Sequence, residues 1–373
     1  MPPIYLDHNA TTPVDPQVVE ACLPFLAEHF GNPSSGHEYG RTAQAAVLDA
    51  RQAVAGLLGA SPEEIVFTGG GSDGDTLAIR GAALANDGDH VITQVTEHPA
   101  VLGVCEALAR QHGFRVTTLG VDSSGRVDPA ELEAALDDRT VLVSIMHANN
   151  ETGTVQPIRA LASLAHAHGS LFHTDASQTA GKIPVTDLGA DLVTITGHKM
   201  YAPKGVGALY VRSGVALEPT TYGGGQERGL RAGTENVALI VALGAAARLA
   251  GPAVLAADRV RALRDLLHTR LAEALPGRVH LNGHPEHRLP NTLNVTIEGA
   301  GDVLARVPDV AASTGSACHE GDTAPSPVLA AMNAPAGSAL RLTLGRTTTE
   351  QDIETAARLL VAAARDQALA PPA

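Results

Sequence analysis

Between residues 60 and 211, short β-branched runs alternate with longer stretches whose apolar positions recur three and four residues apart. The runs at 64–68, 90–93, 115–119, 141–146, 170–174, 192–196 and 207–211 read as strands, and amphipathic stretches at 100–112, 129–136 and 158–168 read as helices. This alternation predicts an α/β fold, a mostly parallel seven-stranded sheet with helices on both faces. Ligands of such sheets sit beyond the carboxyl ends of the strands, so chemistry is to be sought in the polar residues that follow each run. After Gly251-Pro252 the texture changes: a long helix over 258–275 leads through Pro276-Gly277 to strands near 279–282 and 292–297, then to a strand at 339–344 and a closing helix from Glu350. The expected division is a large domain over 14–251 and a smaller α+β domain made of 1–13 and 252–373. Residues 368–373 read as a frayed tail.

Charge narrows the possibilities. Twenty-six Lys and Arg stand against 40 Asp and Glu, a formal net charge of −14, with no basic run, which argues against nucleic acid as a partner because phosphate contacts need clustered positive charge. Tryptophan is absent and aromatic residues make up only 3%, so stacking platforms for bases are not expected. Cys22, Cys105 and Cys318 are widely spaced and form no CxxC, which suggests a reducing compartment and thiols used singly. The first residues lack the basic and apolar regions of a signal peptide. The most apolar stretch, 237–247, stops at Arg248, short of the roughly 20 residues that cross a bilayer. The expectation is a cytoplasmic protein that does not engage a membrane.

Three segments bear on chemistry. Thr68-Gly69-Gly70-Gly71-Ser72-Asp73 follows a strand and opens a helix, where backbone N–H groups and the helix dipole can cradle an anion; a tight turn with Ser72 as N-cap is the competing reading. Asp175 closes the 170–174 run, and Lys199 follows the 192–196 run, so a carboxylate and an amine can converge on one cleft. An amine able to form a Schiff base and a carboxylate able to hold a pyridinium protonated are the two protein groups that pyridoxal phosphate requires. The chain has only three lysines, Lys182, Lys199 and Lys204, and of these only Lys199 stands at a strand end. The pairs His166/His168 and His284/His287 lack a convincing ligand set, so no metal site is assigned.

A set of motifs in order along nearly the whole chain resembles the cysteine desulfurases of the NifS/IscS family, in the class V branch of fold-type I pyridoxal-phosphate enzymes. They are Tyr5-Leu6-Asp7-His8-Asn9-Ala10-Thr11-Thr12, Gly31-Asn32-Pro33-Ser34-Ser35, Glu97-His98-Pro99-Ala100-Val101, Asn149-Asn150-Glu151-Thr152-Gly153, His173-Thr174-Asp175-Ala176-Ser177-Gln178 and Gly197-His198-Lys199. Gly223-Gly224-Gly225-Gln226-Glu227-Arg228-Gly229, Arg231-Ala232-Gly233-Thr234, Gly315-Ser316-Ala317-Cys318 and Leu340-Arg341-Leu342 complete the set.

The resemblance implies a homodimeric transferase that converts L-cysteine to L-alanine and passes the sulfur, through a Cys318 persulfide, to an acceptor protein. An iron–sulfur scaffold, a tRNA-thiolation protein and a specialised carrier are equally open as acceptors. It implies that Lys199 bonds the cofactor and moves the substrate's α-proton, that Asp175 pairs with the pyridinium nitrogen and Gln178 with the phenolic oxygen, and that His98 lies over the ring and transfers protons. Gly71, Ser72, Thr196 and His198 match the phosphate site, with Thr234 reaching the phosphate of the partner subunit. Asn150 and Arg341 match the groups that position the amino acid, although an arginine within a strand also fits a structural ion pair. Cys318 lies in a polar, Gly-rich segment of the small domain, whereas Cys22 and Cys105 sit in apolar helical patterns and read as inert core thiols.

Two departures from the family pattern stand out: the stretch Asp73-Gly74-Asp75-Thr76, where the helix opens with a glycine, and a compact connection over 297–309. Other functions compatible with the chain are a selenocysteine lyase or another β-lyase on the same scaffold, and a non-catalytic sulfur-relay or scaffold partner.

Overall fold

A computed structural model describes residues 2–297, 303–314, 326–334 and 338–368. Seven strands form the large sheet in the order Ile65–Thr68, Gly207–Val211, Leu192–Thr196, Leu171–Asp175, Thr140–Ser144, His90–Gln94, Arg115–Leu119. All pair in parallel except Gly207–Val211, which runs antiparallel to both neighbours. Each of the seven expected strands is present within two residues of its predicted ends. The central strands are buried on both faces, as parallel strands between helical layers must be, while the edge strand Arg115–Leu119 is exposed or half-buried except at Leu119.

The expected helices also form, at Pro99–His112, Pro129–Ala135, Ile158–Ala167, Ala257–Ala274 and Glu350–Ala368. His98 and Asp128 cap the first two by accepting the N–H two residues on, and a proline occupies the first helical position in each. The pattern reading did not single out two further long helices, Glu38–Leu58 and Val237–Leu255. They pack closely on each other: a Cβ added at Gly244 would lie 2.7 Å from Ala50 Cβ, so only glycine permits the approach. Val237–Leu255 has 19 residues and extends well past the apolar run at 237–247, passing through Gly251 and Pro252. By length and composition alone it could cross a membrane, but half of it is buried inside the protein. Val237, Ile240, Leu243 and Ala246 all join the core beneath the sheet, so the helix's apolarity is spent on that core.

Apolar side chains gather on the two faces of the large sheet, and separately around a smaller sheet. The smaller sheet orders Ser313–Thr314, Ser338–Thr343, Thr292–Ile297 and Val279–Leu281, all antiparallel. Leu6 enters this second core, because Ile4–Tyr5 pairs in parallel with Val310–Ala311 and Asp7 bridges to Thr343. The N-terminal segment then crosses to the large sheet, where Thr12 N–H and hydroxyl both donate to His198 O. Residues 7–12 therefore sit where the two sheets meet, alongside the strand ends that carry the candidate chemistry.

Candidate active site

Asp175 and Lys199 leave neighbouring strand ends. Leu171–Asp175 and Leu192–Thr196 pair in register, Asp175 opposite Thr194, and the chain after Thr196 turns through Gly197–Lys199. Asp175 is buried, and its Oδ1 accepts the Ser177 N–H at 2.8 Å. His98 stands at the start of Pro99–His112, its Nδ1 accepting the Ala100 N–H at 3.1 Å. That bond puts the proton of a neutral imidazole on Nε2. Burial, and then the charge of Lys199, hold the His98 pKa below its usual value, with Asp175 opposing. The amine, carboxylate and imidazole named from the sequence thus lie within electrostatic reach of one another.

The helix opens directly after the strand, as expected, but Ser72 does not cap it. Gly70, at φ 141°, is the N-cap of Gly71–Ala85, and Ser72 lies in the first turn rather than capping it. The first turn packs against the end of Leu192–Thr196: a Cβ on Gly71 would lie 3.3 Å from Ser177 Oγ and 3.6 Å from Thr196 Cβ. Hydroxyl donors, helix-terminal N–H groups and a glycine where backbone must approach a ligand are the donor set that a phosphate monoester requires. His198 borders the same turn, its Nδ1 3.1 Å from Thr11 Oγ1. Burial and the charges of Lys199, Lys204 and Lys182 drive its pKa down to about 4, so at neutral pH it is an uncharged hydrogen-bonding group. These residues fit pyridoxal phosphate: an amine and a carboxylate at neighbouring strand ends, beside a helix N-terminus suited to an anion.

The altered stretch has physical reasons. Asp73 accepts the Gly69 N–H at 2.6 Å and pairs with Arg231 Nε at 3.2 Å, tying the cradle to the glycine-rich segment that ends in exposed Thr234. Glu227 ties the same segment down again, with a bidentate bond from Arg51 and the Phe67 N–H on its Oε2 at 2.9 Å. Gly74 is where the helix crosses the sheet; a Cβ there would lie 2.8 Å from Thr194 Cγ2. Asp75 is fully buried, with Oδ1 unpartnered and 3.6 Å from His173 Nε2. Burial and then the nearby Asp175 raise its pKa well above the usual range, and burial lowers His173 to about 4.

On Ser338–Thr343, Arg341 Nη2 donates to Asp7 Oδ1 at 2.9 Å and Nη1 to Asn150 O at 3.5 Å, while buried Nε has no partner. The structural ion pair and the orphaned donor therefore coexist in one guanidinium. Asn9, quoted within a motif but given no role, links Asn150 and Gln178: its Nδ2 donates to Asn150 O at 3.1 Å, and Gln178 Nε2 donates to its carbonyl at 3.0 Å.

Cys318 lies outside the described residues. Cys22 and Cys105 are buried, as expected, and burial with nearby Glu97 and Glu106 pushes the Cys105 thiol up to about 12. Among the histidines set aside as metal ligands, His166 instead bonds Asp191 Oδ2 at 2.8 Å, and His284 Nδ1 accepts the N–H groups of Glu286 and His287.

Sequence reasoning assigned no role to Glu97, the residue before His98. It is buried, its Oε1 accepts the Met146 and Gln94 N–H groups, and Oε2 is unpartnered. Burial raises its pKa to about 8, against hydrogen bonds that lower it. Folding therefore takes up a proton at neutral pH. Stability is greatest below the unfolded value near 4.5 and falls as pH rises through 8. Glu97→Gln, which is neutral and keeps the acceptor, is expected to be more stable than the parent by on the order of 2 kcal/mol at pH 7, with the difference vanishing near pH 4. Thermal unfolding across that range measures it; a pH-independent difference would contradict the assignment.

Comparison with known proteins agrees with this geometry. The model of the family described as Aminotransferase class-V matches residues 4–355. The chain belongs to that class of enzymes, and within it to the pyridoxal-phosphate-dependent cysteine desulfurases. It is 50% identical over 373 residues to a cysteine desulfurase IscS of Anaeromyxobacter sp. (strain Fw109-5), covering 96% of this chain and 92% of the relative. Among solved structures, a NifS-like protein superposes with TM-score 0.90 at 35% identity, covering 99% and 100% of the two chains. A structure described as SspA in complex with cysteine does so with TM-score 0.80 at 36% identity, covering 91% and 98%.

Proposed function

We propose that this enzyme removes sulfur from L-cysteine, releases L-alanine and holds the sulfur on Cys318 for a protein acceptor. The observation that carries the reading is the meeting of Lys199, Asp175 and His98 beside a helix-terminal anion cradle, in a chain whose relatives are cysteine desulfurases. The match to a protein solved with cysteine supports that amino acid as substrate.

Lys199 would hold the cofactor through its amine, Asp175 its ring nitrogen, Gln178 its phenolic oxygen, and Gly71, Ser72, Thr196 and His198 its phosphate. When bound, the cofactor supplies an electron sink for the pair left behind as a substrate proton departs. Arg341 and Asn150 orient the amino acid, the guanidinium offering its orphaned Nε alongside the donors now on Asp7 and Asn150. Lys199 takes the α-proton, and His98 presents Nε2–H as an acid. Cys318 contributes the thiolate: its sulfur bonds the substrate sulfur, the carbon–sulfur bond breaks, a proton from the site completes alanine, and Cys318 keeps the persulfide. The sum is cysteine plus thiol giving alanine plus persulfide, with no outside oxidant. Exposed Thr234 is read as completing the phosphate site of a second subunit in a homodimer. Free thiols fit a reducing, cytoplasmic setting.

Purified holoenzyme given L-cysteine should yield L-alanine and sulfane sulfur one to one, without a 2-oxo acid. Alanine formation that depends on a 2-oxo acid would make the protein an aminotransferase instead.

A further inference from the structure

Lys182 sits in Gly181-Lys182-Ile183-Pro184, away from any strand end, and nothing in the sequence gives it a task. The fold nevertheless brings its ammonium to the candidate site. Lys182 N–H donates to Thr179 O at 2.9 Å, closing a turn that sets side chains 178 and 182 together. Its Nζ donates to Gln178 Oε1 at 2.9 Å and to Asn9 Oδ1 at 3.2 Å. Asn291 Nδ2 donates to the same Asn9 oxygen at 3.0 Å, so Asn9 is fixed from two sides.

An ammonium can only donate, so its contact decides which way the Gln178 amide points. Oε1 must face Lys182, and Nε2 is left with two hydrogens, of which one goes to Asn9 O at 3.0 Å. The second remains for a ligand. The charged and titratable groups that act with Lys182 are Lys199, Arg341, His8 and His198, all cationic or basic. No ion pair among the described residues includes Lys182. A desolvated amine among cations is costly, and an anionic oxygen on the far side of Gln178 would offset that cost.

We propose that Lys182 is a positioning residue: by donating to Gln178 Oε1 it locks the amide so that Nε2–H is presented to the phenolic oxygen of the cofactor. This rests on the reading that Gln178 faces that oxygen. The amide bond stabilises negative charge on the oxygen, which favours the deprotonated form of the bound chromophore. Losing it should raise the pH midpoint of the holoenzyme's visible absorption.

The test is a spectrophotometric pH titration of holoenzymes carrying Lys182→Met, Lys182→Arg, Gln178→Ala and the Lys182→Met/Gln178→Ala pair. Lys182→Met and Gln178→Ala should each raise the midpoint by about one pH unit, Lys182→Arg should restore most of it, and the double variant should shift no further than either single one. An unchanged midpoint in Lys182→Met, beside a shifted one in Gln178→Ala, would overturn the proposal and leave the Gln178 reading standing. No shift in Gln178→Ala would overturn both. A Lys182→Met shift that persists in full in the Gln178→Ala background would show that Lys182 does not act through the amide. Should Lys182→Met fail to fold, Lys182→Gln, which removes the charge and keeps polarity, carries the same comparison.

Discussion

Borohydride reduction of the holoenzyme, followed by peptide mapping, is expected to label Lys199 and neither Lys182 nor Lys204, and Lys199→Ala should lose turnover by at least about 10³-fold. The experiment discriminates because the site holds two amines. Burial and the charges of Lys199 and Arg341 bring Lys182 down to about 7, so its ammonium gives up a proton far more readily than an ordinary lysine's. Reactivity alone would therefore allow Lys182 to compete. Geometry decides against it, because its nitrogen is engaged by Gln178 Oε1 and Asn9 Oδ1, whereas Lys199 leaves the strand end beside Asp175. Lys199→Ala should still bind pyridoxal phosphate through the cradle and Asp175, but without a reducible bond. Label on Lys182 would reverse the two lysines' roles and remove the basis for treating Lys182 as a positioning residue.

That contrast also separates what the sequence makes legible from what only the fold brings together. Strand ends were legible because parallel strands buried on both faces are short β-branched runs, and Asp175 and Lys199 are the polar residues that immediately follow two of them. Gln178 and His98 were legible only through family resemblance, since one glutamine or histidine carries no periodic signal. The long helix Val237–Leu255 was missed as an element because its apolar positions run nearly all the way round, which removes amphipathic period, and because Gly251-Pro252 looks like a boundary although the helix continues through it. Lys182, Asn9, Asp75 and Glu97 were missed for another reason: each depends at least in part on partners distant in the chain. Asn9 meets Thr292 Oγ1 and Gln178 across well over a hundred residues of chain. Asp75 meets Asp175 because Gly74 lets a helix approach the sheet. A buried acid gives no sign in sequence beyond an unremarkable Asp or Glu.

The three cysteines yield the other large expected effect. Cys318→Ala should abolish both protein-persulfide formation and alanine release from L-cysteine, by at least about 10³-fold, while the absorption of the bound cofactor stays unchanged. The nucleophile must be a thiolate, and an ordinary exposed thiol, with a pKa of about 8.5, supplies a few per cent of it at pH 7. Cys105, held near 12, supplies on the order of 10⁻⁵, and Cys22 is also shifted upward by burial, its Sγ donating to Val19 O. Neither can take over if Cys318 is removed, so alkylation at neutral pH should modify Cys318 first and protect nothing by modifying the others. The substitution should also split the reaction into parts. Lys199 does not need the thiol to move a proton, so the variant should go on exchanging the α-hydrogen of L-cysteine with solvent deuterium after alanine release has stopped. Deuterium uptake followed by mass spectrometry, beside alanine measurement in the same tube, reads both. Exchange without alanine places Cys318 at the sulfur step alone. Alanine released at the parent rate would instead mean that sulfur departs without a protein thiol, and the enzyme would be a β-lyase on this scaffold.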